Sequence, residues 1–152
     1  MKNVDIFCKI VKGELPSYKI YEDRDFIAIL DVYPNIKGQT LLISKKHRSG
    51  YVFDLSPTEL KSLAIATKKV ATLLEKRLGV KRVHVVMEGL GVDHLHVKLY
   101  PAIGLKEKYK IIWAKEKIYF NKYPGYVTTL TGPKAKEAEL SRLKKRITGK
   151  GR

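Results

Sequence analysis

The stretch from Asp93 to Pro101 constrains the fold most strongly, because polar and apolar residues alternate along it. A period of two residues is typical of a β-strand with one buried face. His94, His96 and Lys98 would project together from one face as a row of nitrogen-bearing side chains. The other face would point into a core through Leu95, Val97 and Leu99. Such a row suits acid–base chemistry, metal binding or anion binding.

The rest of the chain favours an α+β fold. Ser56, Pro57 and Glu59 form a capping-box signature for a long helix that ends near Leu78. Its buried stripe is predicted to contain Leu60, Leu63, Ala64, Thr67, Val70, Ala71, Leu74 and Leu78. A short helix is predicted over residues 5–12, and the remaining strands over residues 17–22, 26–30, 39–44 and 82–87. Five strands with one long and one short helix indicate a mostly antiparallel sheet.

Composition limits the class of protein. The chain has 152 residues, of which 44% are apolar, enough for one domain with a core and an appendage. The single cysteine, Cys8, excludes an internal disulfide, and no apolar run approaches the ~18 residues of a membrane span. Since the N-terminus does not resemble a secretory signal, we expect a cytoplasmic protein. The net charge of +16 implies anionic partners such as nucleotides, nucleic acid or acidic surfaces.

Positive charge is more concentrated in the last third of the chain than in the rest. Residues 104–152 contain 14 Lys and Arg against 4 Asp and Glu. We therefore divide the chain into a domain over residues 1–103 and a basic C-terminal extension over residues 104–152. The extension is predicted to end in a helix through Leu140, Leu143 and Ile147. Its interleaved aromatic and cationic residues suggest contact with phosphate backbones, whereas the alternative is a solubilising, partly packed tail.

Three other features have a structural explanation, and for one of them, Asp31, a ligand-binding role is equally open. Asp31 follows the apolar run 26–30 and is either a turn-capping aspartate or a carboxylate that accepts hydrogen bonds from ligand hydroxyls. The cationic cluster Lys45-Lys46-His47-Arg48 follows a predicted strand and is explained most simply as a solvated loop. His84 is expected to be a surface or interface histidine.

Four stretches, in order along the chain, resemble the histidine-triad family, the Hint-like nucleotide hydrolases and transferases. Residues 5–16 are similar to the opening segment of that family, and residues 26–34 to its ribose-binding strand and loop. Residues 38–47 resemble the strand that leads to its upstream histidine. The stretch His94-Leu95-His96-Val97-Lys98 resembles its signature His-x-His-x-His, in which x is apolar. The resemblance covers about residues 4–103.

This resemblance implies a nucleotidyl-transfer mechanism. His96 would attack the α-phosphorus of a nucleotide, and water would then resolve the covalent nucleotidyl-histidine. His94 and His47 would be the accompanying catalytic histidines, and Asp31 would bind the ribose hydroxyls. The base pocket would be lined by Phe7, Ile10, Ile29 and Val32. The chemistry requires no metal, since a neutral imidazole is a good nucleophile near pH 7.

The sequence departs from the family pattern at three places, one of which is a short turn before His94 that carries Met87 and Leu90 where the family often has polar residues facing the phosphate. Lys98 replaces the third histidine of the signature, and it would keep a positive charge beside the phosphate without relaying protons near neutral pH. Some members hold a structural zinc, and Cys8, His47 and His94 match three of its four ligand positions. Asp5 occupies the fourth, so a bound zinc and an inert, buried Cys8 are the two alternatives.

We therefore expect a homodimeric nucleotide hydrolase or nucleotidyl transferase acting at the α-phosphate of purine nucleotide conjugates. Nucleoside phosphoramidates and dinucleoside polyphosphates are the expected substrates. The alternative is a catalytically weak nucleotide- or nucleic-acid-binding protein that works through the basic extension. Turnover of adenosine phosphoramidate would favour the enzyme, whereas salt-sensitive RNA binding without turnover would favour the binding protein.

Overall fold

The computed structural model describes residues 5–109, 114–128, 133–140 and 147. The chain forms two compact units, Met1–Lys110 and Ile111–Arg152. The functional division after residue 103, predicted from charge, stays a prediction. Within the described part of the chain, no helix combines the length and apolarity needed to cross a bilayer.

The first unit is built on a five-stranded antiparallel sheet with two α-helices, which confirms the predicted α+β class. The strands are β1 (Lys19–Glu22), β2 (Phe26–Leu30), β3 (Thr40–Ser44), β4 (Val83–Val86) and β5 (His96–Pro101). They lie in the spatial order β1-β2-β3-β5-β4. In the register of β3 and β5, Ile43 lies opposite His96 and Leu41 opposite Lys98. The polar row of β5 thus shares a face with apolar residues of β3.

The long helix α2 (Pro57–Leu78) covers the other face of the sheet. It begins at the predicted capping box, in which Ser56 and Glu59 bond each other's backbone N–H groups. Its core residues are Leu63, Ala66, Thr67, Val70 and Leu74. The predicted stripe was too wide, because Leu60, Ala64 and Leu78 are exposed. The sheet contacts only a narrow band of the helix, so positions at the edges of the apolar stripe remain in solvent.

The short helix α1 (Ile6–Val11) covers the face that bears the histidines. Phe7 packs there with Ile27, Ile29 and Ile43, and Ile10 lies partly buried beside them. On the α2 face, Leu95, Val97 and Leu99 are buried as the alternation predicts. The sheet therefore separates two apolar clusters, and only the α1 face contains polar nitrogen groups of β5.

The second unit is described only in part. Residues 137–140 are helical, and the rings of Phe120 and Tyr126 make an edge contact with centroids 5.8 Å apart. Leu140 and Ile147 are exposed, whereas Leu143 of the predicted last helix lies outside the described residues. The role of the basic extension in nucleic-acid binding remains a prediction.

Candidate active site

His96 is the buried histidine at the start of β5. Its ring packs against Phe7 with centroids 5.2 Å apart, and its Nδ1 lies 2.7 Å from the His94 carbonyl oxygen. Because a carbonyl only accepts, Nδ1–H is the donor, and Nε2 is the unprotonated nitrogen of the neutral ring. Burial, the strongest influence, lowers the pKa of His96, and the positive charge of Lys98 lowers it further. The ring is thus held in the form that a nitrogen nucleophile requires.

His94 lies just before β5 and is completely buried. Its Nε2 donates to the Ser44 carbonyl oxygen at 2.8 Å, and its Nδ1 lies 3.1 Å from both Asp5 carboxylate oxygens. The ring meets the edge of His47, whose Nδ1 is 3.0 Å from Asp5. His47 is therefore gathered with His94 around Asp5.

Asp5 lies at the centre of this group, and it is also the N-cap residue of α1. Its Oδ1 accepts the Cys8 N–H at 2.8 Å, and its Oδ2 accepts the Cys8 thiol at 3.3 Å. Burial opposes ionisation of Asp5, but hydrogen bonds from Cys8 and His94 outweigh it and lower the pKa of the carboxyl group well below its ordinary value. Burial, reinforced by Asp5, raises the pKa of Cys8.

The four residues just described form a potential metal-binding cluster. One ligand atom from each of Asp5, Cys8, His47 and His94 lies within 4.8 Å of the others. The donor set of one thiol, two imidazoles and one carboxylate is suitable for zinc. The bond from His94 to the Ser44 carbonyl is the kind of outer contact that orients a metal-binding histidine. The residues present therefore fit a zinc ion.

Lys98 follows His96 on the same face of β5 and is partly buried. Its Nζ lies 3.0 Å from a carboxylate oxygen of Glu88. Glu88 was not among the site residues predicted from the sequence. It lies ten positions before Lys98, in the loop after β4. Only the folded chain brings this carboxylate to the row of nitrogen groups.

Tyr100 is a second residue that the sequence analysis missed, although it continues the same alternation from His96 and Lys98. Burial raises the pKa of its phenol, the Lys98 charge opposes this, and the charges of Asp31 and Glu88 raise it further. The phenol of Tyr100 therefore lies within the electrostatic influence of Lys98, Asp31 and Glu88. The strand register places Asp31 at the end of the sheet away from His96, because Leu30 lies opposite Thr40 and Thr40 opposite Leu99.

Asp31 has the structural role expected of a turn residue. Its Oδ1 accepts the Tyr33 N–H at 2.9 Å, and its Oδ2 accepts the Gln39 side-chain N–H at 2.6 Å. Gln39 is buried and also accepts the Asn35 N–H, so it ties Asp31 to the loop that follows. The carboxylate remains partly exposed, and a carboxylate has further lone pairs for hydroxyl donors.

The residues predicted to line a base pocket do not all share one environment. Phe7, Ile10 and Ile29 belong to the apolar cluster on the α1 face. Val32 lies outside that cluster and is largely exposed.

The fold and the histidine row define a protein of the histidine-triad class. Residues 12–102 match the family model described as the HIT domain, so the chain belongs to the HIT family. A curated relative, the adenosine 5'-monophosphoramidase of Saccharomyces cerevisiae, is 31% identical over 122 residues. The match covers 77% of this chain and 74% of the yeast protein.

Solved structures agree with this assignment. A Streptococcus mutans protein superposes with a TM-score of 0.68 at 26% identity, covering 99% of this chain and 87% of that chain. A zinc-bound histidine triad family protein from Mycobacterium smegmatis gives a TM-score of 0.58 at 29% identity. That match covers 66% of this chain and 77% of the mycobacterial chain.

Proposed function

We propose that this protein hydrolyses nucleotide conjugates at the α-phosphate through a nucleotidyl-histidine intermediate. The observation that supports this best is the hydrogen bond from His96 Nδ1 to the His94 carbonyl, which leaves Nε2 unprotonated. The Nε2 lone pair attacks the α-phosphorus, and the bond to the leaving group breaks as that group takes a proton from solvent. Water then attacks phosphorus and gives up a proton to solvent, the P–N bond to His96 breaks, and a nucleoside monophosphate is released.

The name of the yeast relative suggests which substrates to test first. The yeast relative is named as a phosphoramidase, so a nucleoside phosphoramidate is the first substrate to test, followed by dinucleoside polyphosphates. A screen of these compounds, with intact-mass detection of a nucleotidyl adduct, tests both turnover and the covalent step. Absence of turnover and of any adduct across the screen would favour a binding protein that lacks catalysis.

Asp31 is proposed to recognise the ribose. Replacing it with alanine is expected to weaken ribonucleotide binding by about 1–3 kcal/mol, because hydrogen bonds to a charged group are lost. The variant should also lose its preference over dideoxyribose analogues, measured by calorimetric titration. Asp31→Asn keeps the size of the side chain and the bond from the Tyr33 N–H but not the bond from Gln39, so it is a partial control for the turn. If the preference survives in Asp31→Ala, the carboxylate serves only the turn.

Lys98 is proposed to stabilise negative charge on the phosphoryl oxygens, in the place of the third histidine of the family. Lys98→Met keeps the aliphatic stem but removes the ammonium that lies 3.0 Å from a Glu88 carboxylate oxygen. We expect turnover to fall tenfold or more, about 1.4 kcal/mol in barrier height. Lys98→His should retain or raise turnover and add a pH dependence near about 6–7. An unchanged rate in Lys98→Met would show that the ammonium acts only on Glu88.

The reaction requires no metal, and a zinc ion held by Asp5, Cys8, His47 and His94 is proposed as a structural element. It would fasten α1 to the loops that bear the two histidines, as the Asp5 hydrogen bonds do here. The zinc-bound mycobacterial relative supports this proposal.

Metal analysis tests the zinc proposal independently of activity. We expect about one zinc per chain after dialysis against a zinc buffer, and at least tenfold weaker zinc affinity in Cys8→Ala, since that variant lacks one of the four proposed ligands. His84→Ala is the control, because His84 lies exposed on β4 away from the cluster. Equal affinity in the two variants would contradict the assignment.

A homodimer is also proposed, as the resemblance implies. Ile65 of α2 and Val85 of the edge strand β4 are exposed apolar side chains that a second copy could cover. Sedimentation analysis of the full chain tests this association.

A further inference from the structure

The cationic loop Lys45-Lys46-His47-Arg48 contributes only His47 to the proposed reaction. Its other three members line a cavity of about 290 Å³, here called the cationic cleft. Arg24 also lines it from the turn before β2, where the Asp25 carbonyl accepts the Lys45 N–H, so four cations border one small volume. Two carboxylates, Asp25 and Glu59, also line the cavity, leaving an excess of positive charge.

The cationic cleft lies on the α2 side of the sheet, away from the histidine row. Phe26 and Leu95 contribute to its lining, and both belong to the apolar cluster under α2. The hydroxyl-bearing Thr58 and Ser62 add polar groups from the first turns of α2. His96 and Lys98 lie on the opposite face, so a ligand in the cationic cleft would not occupy the catalytic position.

The ion pairs of the cleft leave most of its donors unused by carboxylates. Arg48 contacts Glu59 through one nitrogen, Nη1, of a guanidinium that has five N–H donors. Lys45 pairs with Glu22 at 2.7 Å, and Arg24 with Asp25 at 3.0 Å. Lys46 forms no ion pair with any residue in the described part of the chain. The four cationic side chains therefore have N–H donors available for an added anion.

We propose that the cationic cleft is a second binding site, distinct from the histidine row, for a short phosphate chain. Guanidinium and ammonium groups match the dense charge of adjacent phosphates better than the single, spaced carboxylates of an acidic peptide. The volume exceeds what one phosphate group needs, so a diphosphate or triphosphate fits the cleft best. The chain can come from an inorganic polyphosphate or from a nucleoside triphosphate.

Sodium tripolyphosphate is the probe for this site. Titration into the ¹⁵N-labelled full-length protein should shift amide signals around residues 24–26, 45–48 and 58–62. Arg24→Glu, in the turn before β2, and Lys46→Glu, in the loop after β3, should each weaken binding by about tenfold or more, because they place a like charge against the anion. Lys76→Glu, at an exposed position of α2 outside the cleft, is the control for the same change in net charge and should weaken binding less than about threefold.

The same titration contains the results that would overturn the proposal. An equal loss of affinity in all three variants would mean general attraction to a basic protein. Signals that shift only around Phe7 and His96 would place the anion at the histidine row. Arg24 is the more decisive of the two test residues, since Lys46 also borders the opening beside His47.

A parallel titration with ATP distinguishes the two sources of the phosphate chain. If ATP shifts the cleft signals and Arg24→Glu weakens that effect, the site accepts a nucleoside triphosphate. If ATP shifts only the histidine-row signals while tripolyphosphate shifts the cleft, the site takes the inorganic chain. Both patterns support the cleft, and no cleft shift with either anion contradicts it.

Discussion

Replacing His96 by alanine is expected to reduce turnover by at least about 10³-fold, because the nitrogen that attacks phosphorus is lost. Nucleotide affinity should stay within about tenfold of the parent value, since binding is proposed to depend on Asp31 and the apolar cluster. The nucleotidyl adduct should disappear from the intact-mass spectrum. His84→Ala is the matched control, because it removes an exposed imidazole from β4.

The pH profile adds a second test of His96. Because burial depresses its pKa below the ordinary value of 6.5, the ring stays neutral to lower pH than a solvent-exposed histidine. The acidic limb of kcat/KM should therefore lie below pH 6.5 in the parent protein. Full activity of His96→Ala would refute the covalent mechanism.

Replacing Gly89 by alanine is expected to lower the free energy of unfolding by about 3 kcal/mol. Gly89 has φ +71°, and a Cβ there would lie 2.3 Å from the Gly50 carbonyl oxygen. This backbone contact joins the loop after His47 to the loop that leads into His94. Activity should fall together with stability, because the added methyl group would push these loops apart.

Gly91 provides the control within the same loop. It has φ +88°, but a Cβ there would meet no atom within 4 Å. Gly91→Ala should therefore cost only the left-handed backbone penalty, about 1–2 kcal/mol. Urea denaturation of both variants measures the difference, and equal losses would show that the Gly89–Gly50 contact does not constrain the loops.

The site could be predicted only in part from sequence. The alternation along β5 placed His96 and Lys98 on one face, and the apolar run 26–30 placed Asp31 at the end of a buried strand. The same alternation extends to Tyr100, but a tyrosine in a strand also suits a core, so the pattern alone did not identify it. The buried stripe on α2 is narrower than predicted, because helical periodicity does not show how much of a helix the sheet will cover.

By itself the sequence determined the local elements, because strand alternation and the Ser56–Glu59 capping box depend on residues close together in the chain. The tertiary structure alone decided which distant groups meet. Asp5 reaches His94 across 89 positions, and Glu88 reaches Lys98 from another loop. It also decided the protonation state of His96, because burial and the His94 carbonyl act through the folded geometry. Short-range patterns do not encode such contacts, because it is the pairing of β3 with β5 that brings the loops together.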